Sequence, residues 1–261
     1  MRHALVIARR EIESYFVSPI AYAVMTIFTF VTGLFFSNML VYYIRQAAVA
    51  DQQIRLAGRT EMQLDVPTMV LSQFFANESF LLMLALPLLT MGLITDERRK
   101  GTLELLMTSP VRAIEITIGK FLGATGFVIL MLLPMLPMFY FLAQGGEWEP
   151  GVVASGFLGL VMLAAAMVAL GLFVSSLCEN VLVSAIGTYG LFLTMQFVDT
   201  STSGPESIWA KLVSYFSFYM RQINSTHGVI EVADIVYFLS YVALGLFLAQ
   251  RSIDAIRYKR S

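Results

Sequence analysis

Charged side chains, the groups best suited to binding a partner, are concentrated in one block between two long apolar segments. The block runs from Asp96 to Lys100, and it is followed by Gly101, which weakens a helix, and Thr102, which suits a helix N-cap. Its last three residues are cations, and each would cost roughly 2.5–3.5 kcal/mol in hydrocarbon. The block must therefore lie in water, and the positive-inside rule predicts that this water is the cytoplasm.

A helix of about two turns is predicted immediately after the block, because Pro110 disfavours helical geometry at Ser109. Its side chains divide into an apolar face, a polar face and one residue that points away from both: Leu103, Leu106 and Met107, then Glu104 and Thr108, then Leu105. Such faces suit a short helix that contacts two surfaces. The residues alone allow two interpretations, a docking element for another protein or a solvated turn whose charges only set the topology.

Catalytic motifs are missing from the sequence. It contains no phosphate-binding loop, no zinc-binding H-E-x-x-H helix and no nucleophile elbow, and its two histidines, His3 and His227, lie in separate regions. We therefore predict no enzyme activity, no cofactor and no metal. Charged residues are also nearly absent from the middle of the apolar segments, which argues against a proton-driven transporter. Energy for any mechanical work must come from another polypeptide.

The composition places the chain among membrane proteins. Of its 261 residues, 57% are hydrophobic and only 13% are charged, with a mean hydropathy of +0.74, whereas soluble domains carry about 25% charged residues. The net charge of −1 gives no indication of nucleic-acid binding. We predict an all-α polytopic membrane protein with a single domain over residues 1–261.

Six membrane spans are predicted from the apolar segments, and the first is long enough for a hydrocarbon core of about 30 Å. They cover residues 20–43, 74–95, 116–142, 152–177, 181–198 and 235–250. Residues 45–76 form an exposed external loop in this prediction, and part of it is compatible with a helix. Pro134 and Pro137 should bend the third span, and Gly119, Gly123 and Gly126 give that span a face that another helix can approach closely.

Two amphipathic segments complete the layout. Residues 1–18 form an N-terminal elbow helix on the membrane surface, with apolar residues at helical spacing and charged residues elsewhere: Leu5, Ala8, Ile12 and Tyr15, then Arg9, Arg10 and Glu11. Residues 199–231 form a second external region with an amphipathic helix. Lysine and arginine number 17, and six spans place twelve of them inside and five outside, with both termini cytoplasmic.

The amino-acid sequence of the charged block resembles that of a known family. The stretch from Glu97 to Pro110, together with Ile118 to Gly123, is similar to the signature of ABC-2 type transporter permeases, and most similar to the permease associated with bacterial gliding motility. Residues 18–22 and 227–231 support the resemblance at both ends of the chain.

This resemblance implies that segment 96–110 is a coupling helix seated on a separate ATP-binding cassette subunit. The residues implied to couple to the ATPase are Glu97, Arg98, Arg99, Lys100, Gly101, Thr102, Leu103, Glu104, Leu105, Leu106, Met107 and Thr108. The resemblance also implies short re-entrant helices within residues 199–231. A second permease copy or a paralogue is implied to pack against the first and fifth spans, in a bacterial plasma membrane.

The predicted function is therefore the permease subunit of an ATP-driven exporter, with an ATP-binding cassette subunit, a second permease and membrane lipids as partners. One alternative is a membrane scaffold that transmits force within an ATPase-driven complex without moving a substrate. A second alternative, an intramembrane enzyme, is disfavoured because the sequence lacks paired mid-membrane aspartates, a Ser-His pair and metal ligands.

Overall fold

The structure, a computed structural model, describes residues 2–57, 66–102, 112–145, 150–197, 218 and 231–258, and these residues form only helices and their connections. In chain order the helices are α1 (Arg2–Val17), α2 (Pro19–Ala57), α3 (Val66–Thr90), α4 (Thr95–Arg99), α5 (Ala113–Leu132), α6 (Met135–Gly145), α7 (Pro150–Leu177), α8 (Val181–Phe197) and α9 (Val232–Tyr258). The predicted all-α class is confirmed.

Five helical segments of the described chain are long and apolar enough to cross a membrane. They are Pro19–Val49, Leu71–Arg99, Ala113–Phe141, Pro150–Leu177 and Val232–Ile256, and a shorter apolar helix covers Val181–Gln196. These segments coincide with the six predicted spans and confirm a polytopic membrane protein. The count of six stays a prediction, because the shorter helix is near the lower limit for a crossing.

Helix α7 is the centre of the bundle and packs against α3, α5, α8 and α9. Its glycines allow these close approaches. A Cβ at Gly156 would overlap the ring of Phe75, and a Cβ at Gly171 would overlap the side chain of Thr90. In the same way, Gly245 of α9 lies directly against the backbone of α7. The core therefore combines large side chains on α3 with small ones on α7, as close helix packing in membranes requires.

The structure corrects the predicted external loop at residues 45–76. Helix α2 continues to Ala57 and α3 begins at Val66, so most of that range is helical and only residues 58–65 lie outside the described chain. This range is rich in good helix formers, namely alanine, glutamine and arginine, so the helices extend beyond the apolar segments.

At Pro134, where a bend of the third span was predicted, the helix is interrupted, whereas Pro137 lies in the first turn of α6. Helix α5 ends at Leu132 and α6 begins at Met135, with Pro134 between them. Proline has no backbone N–H and clashes with the preceding turn, which interrupts the helix at this point.

Glu78 is an ionisable residue buried within a predicted span, against the expectation from the sequence. Glu78, on the apolar segment Leu71–Arg99, is fully buried, and its Oε2 accepts a hydrogen bond of 3.0 Å from the Thr32 hydroxyl of α2. Glu78 is therefore an exception to the near-absence of charged residues from the predicted spans.

Candidate functional site

Helix α4 carries the first half of the charged block. It follows a turn at residues 91–94 and ends at Arg99, and Gly101 then adopts a left-handed conformation with φ of 70°. Glycine is the residue best suited to end a helix in this way, and the predicted interruption at Gly101 is confirmed. The Thr102 hydroxyl donates to the backbone oxygen of Glu97 at 3.3 Å, back toward α4. Leu103, Glu104, Leu105, Leu106, Met107 and Thr108 lie outside the described residues.

A buried hydroxyl holds the start of α4 against the end of α7. The Ser175 Oγ accepts hydrogen bonds from the backbone N–H groups of Ile94 and Thr95 at 3.0 and 3.2 Å, and it lies 3.1 Å from the Met91 carbonyl oxygen, to which it donates. The Thr95 hydroxyl donates to the Ser175 carbonyl oxygen at 2.8 Å. Because these groups are buried, breaking the contacts would leave unsatisfied backbone donors. The beginning of α4 is thus fixed to the core of the bundle.

The cations of α4 have different surroundings. The Arg98 guanidinium forms an ion pair with Glu179, in the connection between α7 and α8. Arg99 and Lys100 are exposed, and neither forms an ion pair within the described chain. The outer surface of this segment therefore carries two positive charges that are available to a partner.

Helix α1 packs closely on α5 through the predicted glycine face. A Cβ at Gly119 would lie 2.8 Å from the Ala4 carbonyl oxygen, and a Cβ at Gly123 would lie 2.8 Å from the Ala8 carbonyl oxygen. Of the apolar stripe predicted on α1, Ala8 and Tyr15 are buried in this contact, whereas Leu5 is 65% exposed. The predicted close approach is confirmed, and the helix that makes it is the N-terminal one.

Tyr15 fixes the other end of α1. Its hydroxyl donates to the Leu89 carbonyl oxygen of α3 at 3.0 Å, and its ring stacks on Phe127 of α5 with 4.6 Å between the centroids. Burial, and to a smaller extent the nearby Glu11 carboxylate, raises the pKa of this phenol well above its ordinary value of 10.0. Helix α1 is therefore anchored to α3 as well as to α5, and it ends just before Ser18.

The central feature of the site is a buried lysine between two carboxylates. Lys120 of α5 is 3% exposed, and its Nζ lies 3.0 Å from Glu11 Oε2 of α1 and 3.0 Å from Glu97 Oε1 of α4. We call these three residues the Lys120 triad. One ammonium group thus holds the N-terminal helix and the charged block together.

A cavity of about 640 Å³ opens beside the triad, between α1, α4 and the start of α8. Charged residues from both predicted segments line it: Arg10, Glu11, Asp96, Glu97, Arg99 and Lys100, with Lys120. Arg9 belongs to a separate exposed pair with Glu13 on α1. The structure therefore brings Arg10 and Glu11 of the predicted elbow together with Glu97, Arg99 and Lys100 of the predicted coupling segment.

Sequence reasoning missed three residues of this arrangement. They are Lys120, Ser175 and Glu179. The signal for Lys120 was its position between Gly119 and Gly123, since a cation on a face that a helix approaches closely must find an acidic partner on that helix.

One comparison with known proteins bears on this site. The family model described as ABC-2 type transporter matches residues 2–230, which include α1, α4 and the whole Lys120 triad. No curated protein matches the chain.

Proposed function

This chain belongs to the ABC-2 type transporter family, and we propose that it is the permease subunit through which a separate ATP-binding cassette subunit drives export. The ATP-binding subunit docks on segment 96–110 and supplies the energy. The permease supplies the membrane path and has no catalytic role. Its movement follows that of the ATP-binding subunit because the docking segment is joined to the membrane helices.

The observation that carries this proposal is the Lys120 triad. Glu97 lies in the docking segment, Glu11 lies on the N-terminal helix, and both carboxylates contact the same buried ammonium group. Separating them would leave at least one charge buried without a partner, which typically costs about 3–5 kcal/mol. A force applied to α4 is therefore transmitted to α1 and α5 instead of being absorbed by a loose connection.

The contacts of Ser175 and Thr95 support a second path into the bundle. They tie the start of α4 to α7, the central helix, while Arg98 reaches Glu179 at the connection to α8. In our proposal, the docking segment moves together with α1, α5 and the ends of α7 and α8. That movement opens a path for the substrate toward the outside.

The proposal includes a second permease, either another copy or a paralogue, in a bacterial inner membrane with both termini cytoplasmic. Large apolar side chains on α2 and α8, such as Ile27, Phe30 and Ile186, are more than half exposed in the described chain and can be covered by lipid or by a second permease. From the sequence resemblance, we propose membership of the gliding-motility type within the family.

The test is to isolate the tagged permease from its native membrane, identify copurifying proteins by mass spectrometry and measure ATP hydrolysis. We expect an ATP-binding cassette subunit to copurify with the wild type. Leu105→Asp should remove this subunit and its ATPase activity, because a charge then replaces an apolar contact of the docking segment. The matched control is Ala255→Asp, which adds the same charge at an exposed position near the end of α9.

Two results would contradict the proposal: a wild-type preparation without any ATP-binding cassette subunit, or a Leu105→Asp preparation that keeps the subunit and full ATPase activity. A transport assay in sealed vesicles distinguishes an exporter from a force-transmitting scaffold. A scaffold would hydrolyse ATP without moving any compound across the membrane.

A further inference from the structure

A carboxyl group is buried in the middle of the bundle, between the first two long helices. Glu78 of α3 and Thr32 of α2 are 0% and 1% exposed, and the Thr32 Oγ1 lies 3.0 Å from Glu78 Oε2. Thr32 is close to the middle of the apolar segment Pro19–Val49, and Glu78 lies seven residues after the start of the apolar segment Leu71–Arg99. The second carboxyl oxygen, Oε1, is also buried and has no hydrogen-bond partner within the described chain.

The helices around Glu78 carry no cation at this depth. Helix α3 packs against α2, α7 and α8, and it also contacts α6 through Phe139. The first cation beyond Thr32 on α2 is Arg45, about 20 Å further along the helix at 1.5 Å per residue. The other titratable or charged side chains on these elements are Tyr22, Tyr42, Tyr43, Asp51 and Arg55 of α2, Tyr140 of α6 and Tyr189 of α8, while α7 has none.

The Tyr189 hydroxyl, on the neighbouring helix α8, donates to the Leu84 carbonyl oxygen. An ionised carboxylate with one hydroxyl donor would be costly in this environment, because the side chain is removed from bulk solvent and no cation on the neighbouring helices compensates its charge. A neutral acid needs no counter-charge. It can also keep its hydrogen bond with the Thr32 hydroxyl, which is able to donate or accept.

We propose that Glu78 is a proton-binding site that holds α2 against α3. The proton resides on the carboxyl group while α2 and α3 are in contact. If α2 and α3 separate and water enters, the acid releases its proton to water and becomes a hydrated carboxylate. Proton release is therefore linked to opening of the α2–α3 contact, whatever supplies the energy for that opening. This inference does not depend on the proposed ATP-binding partner.

The first test is infrared spectroscopy of the purified chain in lipid nanodiscs at pH 7. The difference spectrum of wild type minus Glu78→Gln should contain the C=O stretching band of a protonated carboxylic acid. Thr32→Val should keep this band but shift its frequency, since it removes the hydrogen bond. The control is Asp234→Asn, because Asp234 is the other fully buried carboxyl in the described chain. Carboxylate bands in the Glu78→Gln difference spectrum, without the acid band, would overturn the proposal.

The second test is the pH dependence of unfolding. It is independent of the infrared spectra. Glutamate in an unfolded chain is ionised above about pH 4.3, whereas the folded state is proposed to keep its proton. Unfolding then releases a proton, so the unfolding constant of the wild type should rise by about tenfold more per pH unit than that of Glu78→Gln, from pH 5 upward. Thr32→Val, which keeps the carboxyl group, should retain the steep slope. Equal slopes for wild type and Glu78→Gln would refute a buried proton.

Discussion

Replacing Lys120 with methionine tests the triad most directly. Lys120 is 3% exposed, and its two carboxylate partners are 17% and 21% exposed. Removing one partner of a buried ion pair costs about 3–5 kcal/mol, because an unpaired charge stays behind. Glu11 and Glu97 keep some access to water, so we expect the lower end of this range, about 3 kcal/mol of unfolding free energy.

The chain offers a sharper version of this experiment. In Lys120→Met combined with Glu11→Gln and Glu97→Gln, no charge is left unpaired, and replacing a whole buried charge cluster is often nearly neutral. The triple variant should therefore recover most of the stability that the single variant loses. Such recovery would show that the single variant suffers from the stranded carboxylates and not from a packing defect of the methionine.

Stability can be measured by denaturant- or heat-induced unfolding in detergent, with helix content as the signal. Arg9→Met is the control, since Arg9 and Glu13 form an exposed pair on the same helix α1, and such a pair contributes about 0.5 kcal/mol or less. High salt should weaken this control pair and leave the triad nearly unaffected. Wild-type stability in Lys120→Met, or equal losses in the single and triple variants, would refute the reasoning.

Three further predictions concern the contacts around the triad. Gly123→Ala should destabilise the protein by about 1–3 kcal/mol, because the new methyl group would overlap the backbone of α1. The control is Gly151→Ala, whose new methyl group has no atom within 4 Å. Equal melting temperatures for the two variants would contradict the close packing of α1 on α5. Ser175→Ala should accelerate hydrogen exchange at the two backbone amides that its hydroxyl binds, whereas Ser14→Ala on the exposed face of α1 should not; unchanged exchange would argue against the buried contact. The wild type should lose stability at alkaline pH, and Tyr15→Phe should not show this loss. Burial keeps the folded phenol neutral, so its contribution to stability is fully present below the unfolded pKa of about 10 and falls above it. Parallel curves of unfolding free energy against pH for the wild type and the variant would contradict this sign.

Features set by local chemistry were predictable from the sequence. Gly101 ends a helix because it alone adopts the left-handed conformation without strain, and Pro134 interrupts one because it lacks an N–H. The apolar segments and the glycine face of α5 were equally visible. Each of these features depends on residues within a few positions of one another, where propensity and spacing decide the outcome.

Features set by long-range packing were not predictable in the same way. Lys120 is 109 positions from Glu11, and nothing in the pattern of either helix specifies which acid it meets. Glu78 is easily recognised in the sequence because its neighbours are mostly apolar, but its burial depends on Thr32 being placed against it from another helix. The polar stretch after Tyr43 was interpreted as a loop because composition alone does not separate an exposed helix from an exposed loop.

In our two proposals, the buried ionisable sites respond differently to motion of the helices. The Lys120 triad and the Ser175 contacts join α1, α4, α5 and α7 at one end of the bundle, and each of these links would leave buried polar groups unsatisfied if it broke. The contact between Glu78 and Thr32 can open at lower cost, because the acid becomes a hydrated carboxylate when water reaches it. In the proposed mechanism, motion of the docking segment is therefore carried by the first region as one body and relieved at the α2–α3 contact.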